Sequence, residues 1–325
     1  MLSAPLRLSA LLVLSGFLGV ACSSSTDSGA DGQRQLVAEV ASFDLSPERT
    51  ERFVVGLFAN DRGEVAFGEV ELSFDYLGPM SGPIDDSESE TPVRVPGPVT
   101  AGFLSIPGTE QLSGDEPTFD PPWGVRGVYG TTPIRFPTAG VWEVTVEATV
   151  DGDALATSTA FEVFADSVVP GPGDPAPRSE QPLPGDPSVS QESIDSRLGF
   201  GEELPDPTLH RVTIADALDA GRPVMVTITT PVFCVSRFCG PITDELARLE
   251  TQYGDSVEFV HLEVWEDFEN AVLNDAAAEW VAPEGIERAA EPWVFLVDST
   301  GTITTRWDNV ASREELTAAL DQIAG

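Results

Sequence analysis

Hydrophobic and polar positions alternate in the first half of the chain as antiparallel strands require. Residues 69–75 read Glu-Val-Glu-Leu-Ser-Phe-Asp, and residues 141–148 alternate in a similar way. A period of two gives each strand one buried face and one wet face. Long stretches rich in Pro, Gly, Asp and Ser separate these segments and are typical of loops. The pattern therefore predicts an all-β sandwich over residues 36–165.

The last third of the chain changes to continuous apolar strands followed by helical spacing. The predicted strands cover residues 223–230, 257–264 and 293–297, a further strand covers 302–307, and the predicted helices cover 242–253, 268–280 and 312–323. Strands without a wet face belong in the middle of a sheet that is covered on both sides. The order of these elements predicts an α/β domain over residues 208–325.

Two segments carry too few apolar residues to form a core. Residues 22–35 are rich in Ser, Gly and Asp, and we predict a flexible tether there. Residues 166–207 are rich in Pro, Gly and acidic residues, which indicates an extended linker. The sequence thus predicts two domains separated by this linker.

The charge balance excludes some functions. The chain has 17 Lys and Arg residues against 54 Asp and Glu residues, a net charge of −37. Such a surface repels phosphate backbones and anionic headgroups, so we expect no nucleic-acid partner and no membrane contact without an anchor. Three cysteines and two histidines argue against a Cys/His zinc cage. We expect no metal and no cofactor.

The N-terminus has the pattern of an export signal. Arg7 precedes an apolar run over residues 8–20, which is too short for a mature membrane span. The following Cys22 completes a sequence that resembles a bacterial lipobox, with Gly19 where that motif usually has Leu. The resemblance implies a signal peptide over residues 1–21 and a diacylated Cys22. The protein would then be exported and anchored on the extracytoplasmic face of the membrane. Ordinary cleavage that leaves a free cysteine stays open.

A pair of cysteines follows the first strand of the predicted α/β domain. Cys234 and Cys239 are five residues apart, which in a regular helix is about 8–9 Å between Cα atoms, whereas a disulfide needs about 4.4–6.8 Å. If the two bond, Cys234 must lie in the loop before the helix. Gly240 and Pro241 favour a helix that begins near them. The helix N-terminus and Arg237 would then stabilise a thiolate.

The C-terminal pattern resembles the thioredoxin fold. The resemblance rests on the order of elements, on the cysteine pair at a strand-to-helix turn, and on Glu291-Pro292 before the third strand. In that family the proline is cis and faces the redox cysteines. The resemblance implies this role for Pro292, and it implies that the backbone of Glu291 meets a substrate segment. Two departures are visible: Ile242 stands at the family's second cysteine, and Ile228 stands at its buried acid.

Residues 136–142 are similar to the closing hairpin of bacterial immunoglobulin-like modules. Together the two resemblances point to thioredoxin-domain lipoproteins of bacteria with an N-terminal module of this kind. The expected fold class is two-domain, with an N-terminal all-β immunoglobulin-like sandwich and a C-terminal α/β thioredoxin-like fold.

This resemblance implies thiol–disulfide exchange at the cell envelope with a protein thiol or disulfide as partner. Cys234 is the favoured attacking residue and Cys239 the resolving one, although the sequence leaves that assignment open. Two other functions stay open. One is a peroxiredoxin-type peroxidase, in which Thr230 would stand one residue out of register. The other is a non-catalytic binding or scaffold protein with a structural disulfide.

The remaining polar side chains are predicted to be structural. His261 lies mid-strand and His210 lies at the entrance of the predicted domain, so we interpret each as a packed or edge residue. Glu263, Glu266 and Asp267 follow the second strand, and in so acidic a chain they are predicted to form a solvated face.

Overall fold

The alternating segments of the first half pair with one another in the computed structural model. The residues described are 34–61, 63–81, 93–109, 114–119, 126–200, 203–234, 236, 238–283 and 290–324. Within the described part up to residue 165 the strands are β1 (Leu36–Val40), β2 (Val54–Ala59), β3 (Val65–Ala66), β4 (Glu69–Gly78), β5 (Val99–Ser105), β6 (Thr118–Phe119), β7 (Gly127–Thr131), β8 (Gly140–Val150) and β9 (Asp153–Val163).

Seven of these strands form one antiparallel sheet in the order β1-β2-β7-β5-β4-β8-β9. Strand β1 contacts β9, so the sheet nearly closes on itself. The period of two explains its core, because β4 and β8 bury every second residue. Phe53 and Trp142 are among the fully buried side chains inside it. The short strands β3 and β6 pair separately.

The second half contains the helices and a smaller sheet. After two 3-10 helices (Ser196–Phe200 and Pro207–His210), its elements are α1 (Ile214–Asp219), β10 (Val224–Thr229), α2 (Cys239–Tyr253), β11 (Glu258–Glu263), β12 (Trp265–Asp267), β13 (Val272–Leu273), α3 (Asp275–Val281), β14 (Trp293–Val297), β15 (Ile303–Asp308) and α4 (Arg313–Ala324). The sheet order is β11-β10-β14-β15, with β10 parallel to β11 and the other pairs antiparallel. Helices α2 and α4 share one apolar cluster, and α1 and α3 share another.

The expected fold class, an immunoglobulin-like sandwich followed by a separate α/β thioredoxin-like domain, is wrong. The structure is mostly β, with 36% strand and 19% helix, and its described part holds four α-helices. The C-terminal elements do not form a separate α/β thioredoxin domain, because Arg34–Gly325 make up one compact unit. The N-terminal strands form one nearly closed sheet.

Buried charged side chains explain why the two halves are not separate. Arg306 of β15 donates from Nε to Glu51 Oε1 at 2.6 Å and from Nη1 to Asp44 Oδ2 at 3.1 Å. Arg52 donates from Nη1 to Glu315 Oε1 at 2.6 Å. The partners are separated by 255 to 263 positions in the chain, so no local pattern reveals them. These ion pairs join the connection between β1 and β2 to β15 and α4.

The segment predicted to be a linker, residues 166–207, is part of the core. Val169 and Ala176 are buried in the same apolar cluster as Trp280. The indole Nε1 of Trp280 donates to Ser179 Oγ at 3.0 Å. The prediction failed because hydropathy counts apolar residues, whereas this segment is held largely by hydrogen bonds of buried polar groups.

The predicted helix over residues 268–280 is shorter than its apolar spacing suggested. Its first part is the turn of the β12–β13 hairpin, in which Asp267 Oδ1 accepts a hydrogen bond from Asn270 N at 3.1 Å. Asn274 caps the N-terminus of α3 by accepting from Ala276 N. Aspartate and asparagine compete with the helix by bonding nearby backbone groups, which moves the start of the helix to residue 275.

The predicted signal peptide, Cys22 and most of the predicted tether lie outside the described residues, which begin at Arg34. Among the helices that are described, none combines the length and the apolar character needed to cross a bilayer. The lipid anchor therefore remains a prediction.

Candidate functional site

Cys234 and Cys239 form a disulfide, with their Cα atoms 6.0 Å apart. Cys234 lies in the loop after β10, and Cys239 is the first residue of α2. The expected condition for bonding, a first cysteine outside the helix, is thus met. Gly240 and Pro241 occupy the next two helical positions, so the helix begins one residue earlier than predicted.

The two sulfur-bearing residues differ in exposure. Cys239 is fully buried, whereas Cys234 is partly exposed. The hydroxyl of Ser236 lies 3.3 Å from Cys234 Sγ and donates to it, because a bonded sulfur carries no proton. Of the two cysteines, Cys234 is thus the one that is in contact with solvent.

The first turn of α2 favours negative charge on Cys239. The helix has 15 residues, and Phe238 at its N-cap provides no side-chain hydrogen bond to the first N–H groups. These groups and the positive end of the helix dipole stabilise a thiolate at this position. A side-chain hydrogen bond also fixes the backbone at this position, because Thr243 Oγ1 donates to Cys239 O at 2.9 Å.

Pro292 directly precedes β14, at the end of the small sheet from which the cysteine loop leaves β10. The Glu291–Pro292 peptide bond is cis, as the resemblance implied. Ile228 of β10 is in register with Trp293 of β14, so the end of β10 and the residue before β14 lie at the same end of the sheet. Burial raises the pKa of Glu291. Arg237, the predicted supporting cation, lies outside the described residues.

An apolar patch borders the disulfide loop and consists of Val232, Phe233, Phe268 and Val272. The rings of Phe233 and Phe268 stack with centroids 4.2 Å apart and planes inclined by 4°. Phe268 is nevertheless 44% exposed, and both valines are also exposed. Exposed aromatic and aliphatic side chains that lie together are typical of surfaces that contact another molecule.

A groove also borders the cysteine loop. It has a volume of about 720 Å³ and separates the cysteine loop from strands β1, β2 and β7. Ser236, Phe238 and Asn309 line it on the side of the cysteine loop. The loop is therefore accessible from the apolar patch and from this groove.

Glu263 is buried, so the prediction of a solvated face is wrong for this residue, although Glu266 and Asp267 are exposed. Its carboxylate accepts hydrogen bonds from Ser196 N at 2.8 Å and from Val264 N at 3.0 Å. Burial raises its pKa to about 7, while the N–H donors act in the opposite direction. A period-two reading of β11 would have found it, because Glu263 and His261 share one face of a strand that is buried throughout.

Ser196 links this buried acid to the disulfide loop. Its backbone N–H donates to Glu263, and its Oγ accepts a hydrogen bond from Val232 N at 3.2 Å. Val232 is two residues before Cys234. The segment that was predicted to be a linker thus positions the loop that carries the partly exposed cysteine.

The raised pKa of Glu263 predicts a pH-dependent stability. The carboxyl titrates near 4.5 when unfolded and at about 7 when folded, so the folded state binds more protons in this window. Stability is therefore lost as pH rises from 4.5 to about 7, by at most about 3 kcal/mol. The Glu263→Gln variant lacks this loss. Urea unfolding of both proteins across this window should show that the variant becomes more stable relative to the unchanged protein as the pH rises.

Glu266→Gln is the matched control, because Glu266 is exposed and lies three residues away on the same segment. Its stability should follow that of the unchanged protein at every pH. If the profile of Glu263→Gln also runs parallel to that of the unchanged protein, Glu263 does not titrate in this window.

The two histidines are buried, and they lie together. Their ring centroids are 5.2 Å apart and their planes are inclined by 85°. Asp195, from the predicted linker, lies beside both rings. The sequence gave no sign that His210 and His261 meet, because they are 51 positions apart. Asp195 was not considered, because it lies in the segment that was predicted to be a linker.

No protein family matches this chain, and no curated protein matches it either. The site is therefore interpreted from its own geometry and chemistry.

Proposed function

We propose that this protein exchanges disulfide bonds with a protein partner through Cys234 and Cys239. The observation that supports the proposal is the asymmetry of the pair, in which a partly exposed sulfur is bonded to a buried one at a helix N-terminus. Exchange needs one sulfur that a partner can reach and a second that leaves as a stabilised thiolate. The partial exposure of Cys234 supports the first requirement, and the position of Cys239 at the N-terminus of α2 supports the second.

The proposed reaction begins with a thiolate of the partner attacking Cys234 Sγ. A bond forms between the two sulfurs, the Cys234–Cys239 bond breaks, and its electron pair stays on Cys239 as a thiolate. A second thiolate of the partner then attacks the partner's own sulfur in the mixed disulfide and releases Cys234. The partner dithiol is oxidised by two electrons, and the pair of this chain is reduced. The same steps in reverse reduce a partner disulfide.

The apolar patch supports a polypeptide partner. Phe268 and Val232 present apolar area next to the sulfur that is attacked, and a segment lying across them would bring its cysteine to Cys234. The cation-poor, acidic surface would disfavour acidic partners. A lipid anchor at Cys22 belongs to the same proposal and would confine exchange to proteins at the extracytoplasmic face of a membrane.

Two other functions give different expectations. A peroxidase would need a hydroxyl beside the attacking cysteine, and Thr230 is fully buried, which argues against its binding peroxide. A binding or scaffold protein would keep the disulfide closed, which the complete burial of Cys239 would favour. The equilibrium between the closed and reduced pair separates this second function from exchange.

The reduction potential of the pair tests the proposal. The full chain is equilibrated in buffers of defined thiol–disulfide ratio, alkylated and weighed by mass spectrometry. We expect a midpoint between about −120 and −270 mV, in the range of exchange proteins. A midpoint below about −300 mV would identify a structural disulfide and overturn the proposal. The double variant Cys234→Ser, Cys239→Ser is the control, because it shows the alkylation due to Cys22 alone.

A further inference from the structure

Three buried side chains from distant parts of the chain meet beneath α2. Asp195 comes from the predicted linker, His210 from the end of the 3-10 helix Pro207–His210, and His261 from the middle of β11. Their exposed fractions are 0%, 4% and 1%. Neither histidine takes part in the proposed exchange reaction.

The donor atoms have the spacing of a metal site. Asp195 Oδ2 is 3.6 Å from His210 Nε2 and 3.6 Å from His261 Nδ1, and all three atoms lie within 4.8 Å of one another. Tetrahedral coordination with bonds of 2.0–2.1 Å places neighbouring donors about 3.3 Å apart. Small side-chain movements would thus bring the three atoms onto one ion.

The histidine nitrogens that face Asp195 are buried and have no hydrogen-bond partner. The other nitrogen of His261, Nε2, lies 3.3 Å from Thr229 O and donates to it, which leaves the lone pair of Nδ1 directed at the cluster. A backbone carbonyl in this position is a common way of orienting a metal-binding histidine.

The surrounding charges leave a local deficit of positive charge. Arg197 Nη2 donates to Asp195 Oδ2 at 2.7 Å, and Arg197 Nη1 lies 3.2 Å from Asp206 and 3.6 Å from Asp244. One guanidinium thus stands among three carboxylates. A divalent cation would balance these charges and would also satisfy the two unpaired nitrogens, whose burial is otherwise unfavourable.

We propose that Asp195, His210 and His261 bind one divalent transition-metal ion of the zinc class. Two imidazoles and one carboxylate suit Zn²⁺ and its neighbours in the first transition series. Thr227 is in register with His261 on the adjacent strand, and its buried hydroxyl has no hydrogen-bond partner. It can hold a water at the fourth position. The ion would tie the predicted linker to β11 and so fix Ser196, which holds the cysteine loop.

Zinc titration of the full chain, freed of metal with a chelator, tests this proposal. The chain contains only two histidines, so imidazole ¹⁵N resonances report on this site alone. We expect one Zn²⁺ per chain by calorimetry, with shifts of the signals of both rings. Asp195→Asn should weaken binding by at least about tenfold. Asp186→Asn removes an exposed carboxylate and should leave the affinity unchanged.

Two results would overturn the proposal. One is that neither imidazole signal moves with excess Zn²⁺. The other is that calorimetric binding persists unchanged in the His210→Gln, His261→Gln variant, which would assign it to scattered surface carboxylates. Should that variant fail to fold, Co²⁺ added to the unchanged protein decides the matter, because a tetrahedral site gives intense visible absorption and six-coordinate Co²⁺ on scattered surface carboxylates does not. All of these measurements use the oxidised protein with Cys22 replaced by Ser, because free thiolates also bind Zn²⁺ and Co²⁺.

Discussion

Replacing Cys239 by Ser is expected to trap this protein on its partner, whereas replacing Cys234 by Ser is expected to abolish exchange. In Cys239→Ser the partly exposed Cys234 still attacks a disulfide, but no second sulfur is present to release the adduct. In Cys234→Ser the remaining thiol is the buried one, and a partner cannot reach it. We expect the rate of adduct formation to differ between the two variants by at least about a hundredfold.

The measurement uses a short apolar peptide with one internal disulfide, and the adduct is detected by mass spectrometry without reductant. Cys22 is replaced by Ser throughout, so that every adduct reports on the pair. Phe268→Ala, combined with Cys239→Ser, tests the apolar patch and should slow the adduct without preventing it. Equal adduct formation in Cys234→Ser and Cys239→Ser would show that exposure does not select the attacking sulfur, and adduct in neither would contradict the exchange function.

Replacing Arg306 by Met should lower the free energy of unfolding by about 3–5 kcal/mol, the usual loss when a buried ion pair is broken on one side. The substitution leaves Asp44 and Glu51 without their shared cation between the large sheet and β15. Burial already raises the pKa of Glu51 to about 7. Without Arg306 the carboxylate of Glu51 would take up a proton more readily, so the deficit should be larger at pH 8 than at pH 5.

Urea denaturation measures this loss, and Arg94→Met provides the control. Arg94 pairs with Asp75 at 3.1 Å, but both side chains are about half exposed, so its removal should cost less than about 1 kcal/mol. A similar small loss for Arg306→Met would show that the ion pairs of Arg306 contribute little to joining the two halves. If Arg306→Met does not fold, Arg306→Lys retains the charge and should give an intermediate stability.

The sequence predicted the elements better than their assembly. Alternation along β4 and β8, and predominantly apolar runs at β10 and β11, identified strands because both signals are local. The loop position of Cys234 also followed from helix geometry. The packing of the two halves against each other could not be predicted in this way. It depends on Arg306 and its distant acidic partners, and an ion pair leaves no periodic pattern in the sequence.

The candidate site was predicted only in part for a related reason. Its sulfur atoms and Pro292 belong to short motifs, whereas Ser196, Glu263 and Asp195 belong to segments that looked solvated. Each of these polar groups is buried by contacts with a different part of the chain. In a chain with 54 acids, composition alone cannot distinguish a buried carboxylate from an exposed one. The available signal was that His261 and Glu263 are two residues apart in a predicted strand and therefore lie on the same face of it.

The near closure of the large sheet affects how copies of this protein meet. An open sheet ends in a row of free backbone donors and acceptors, to which a strand of a neighbouring molecule can add. Here β1 and β9, the outermost strands, lie against each other. The contact between β1 and β9 therefore leaves less room for the strand of a neighbouring molecule to add to either end of this sheet.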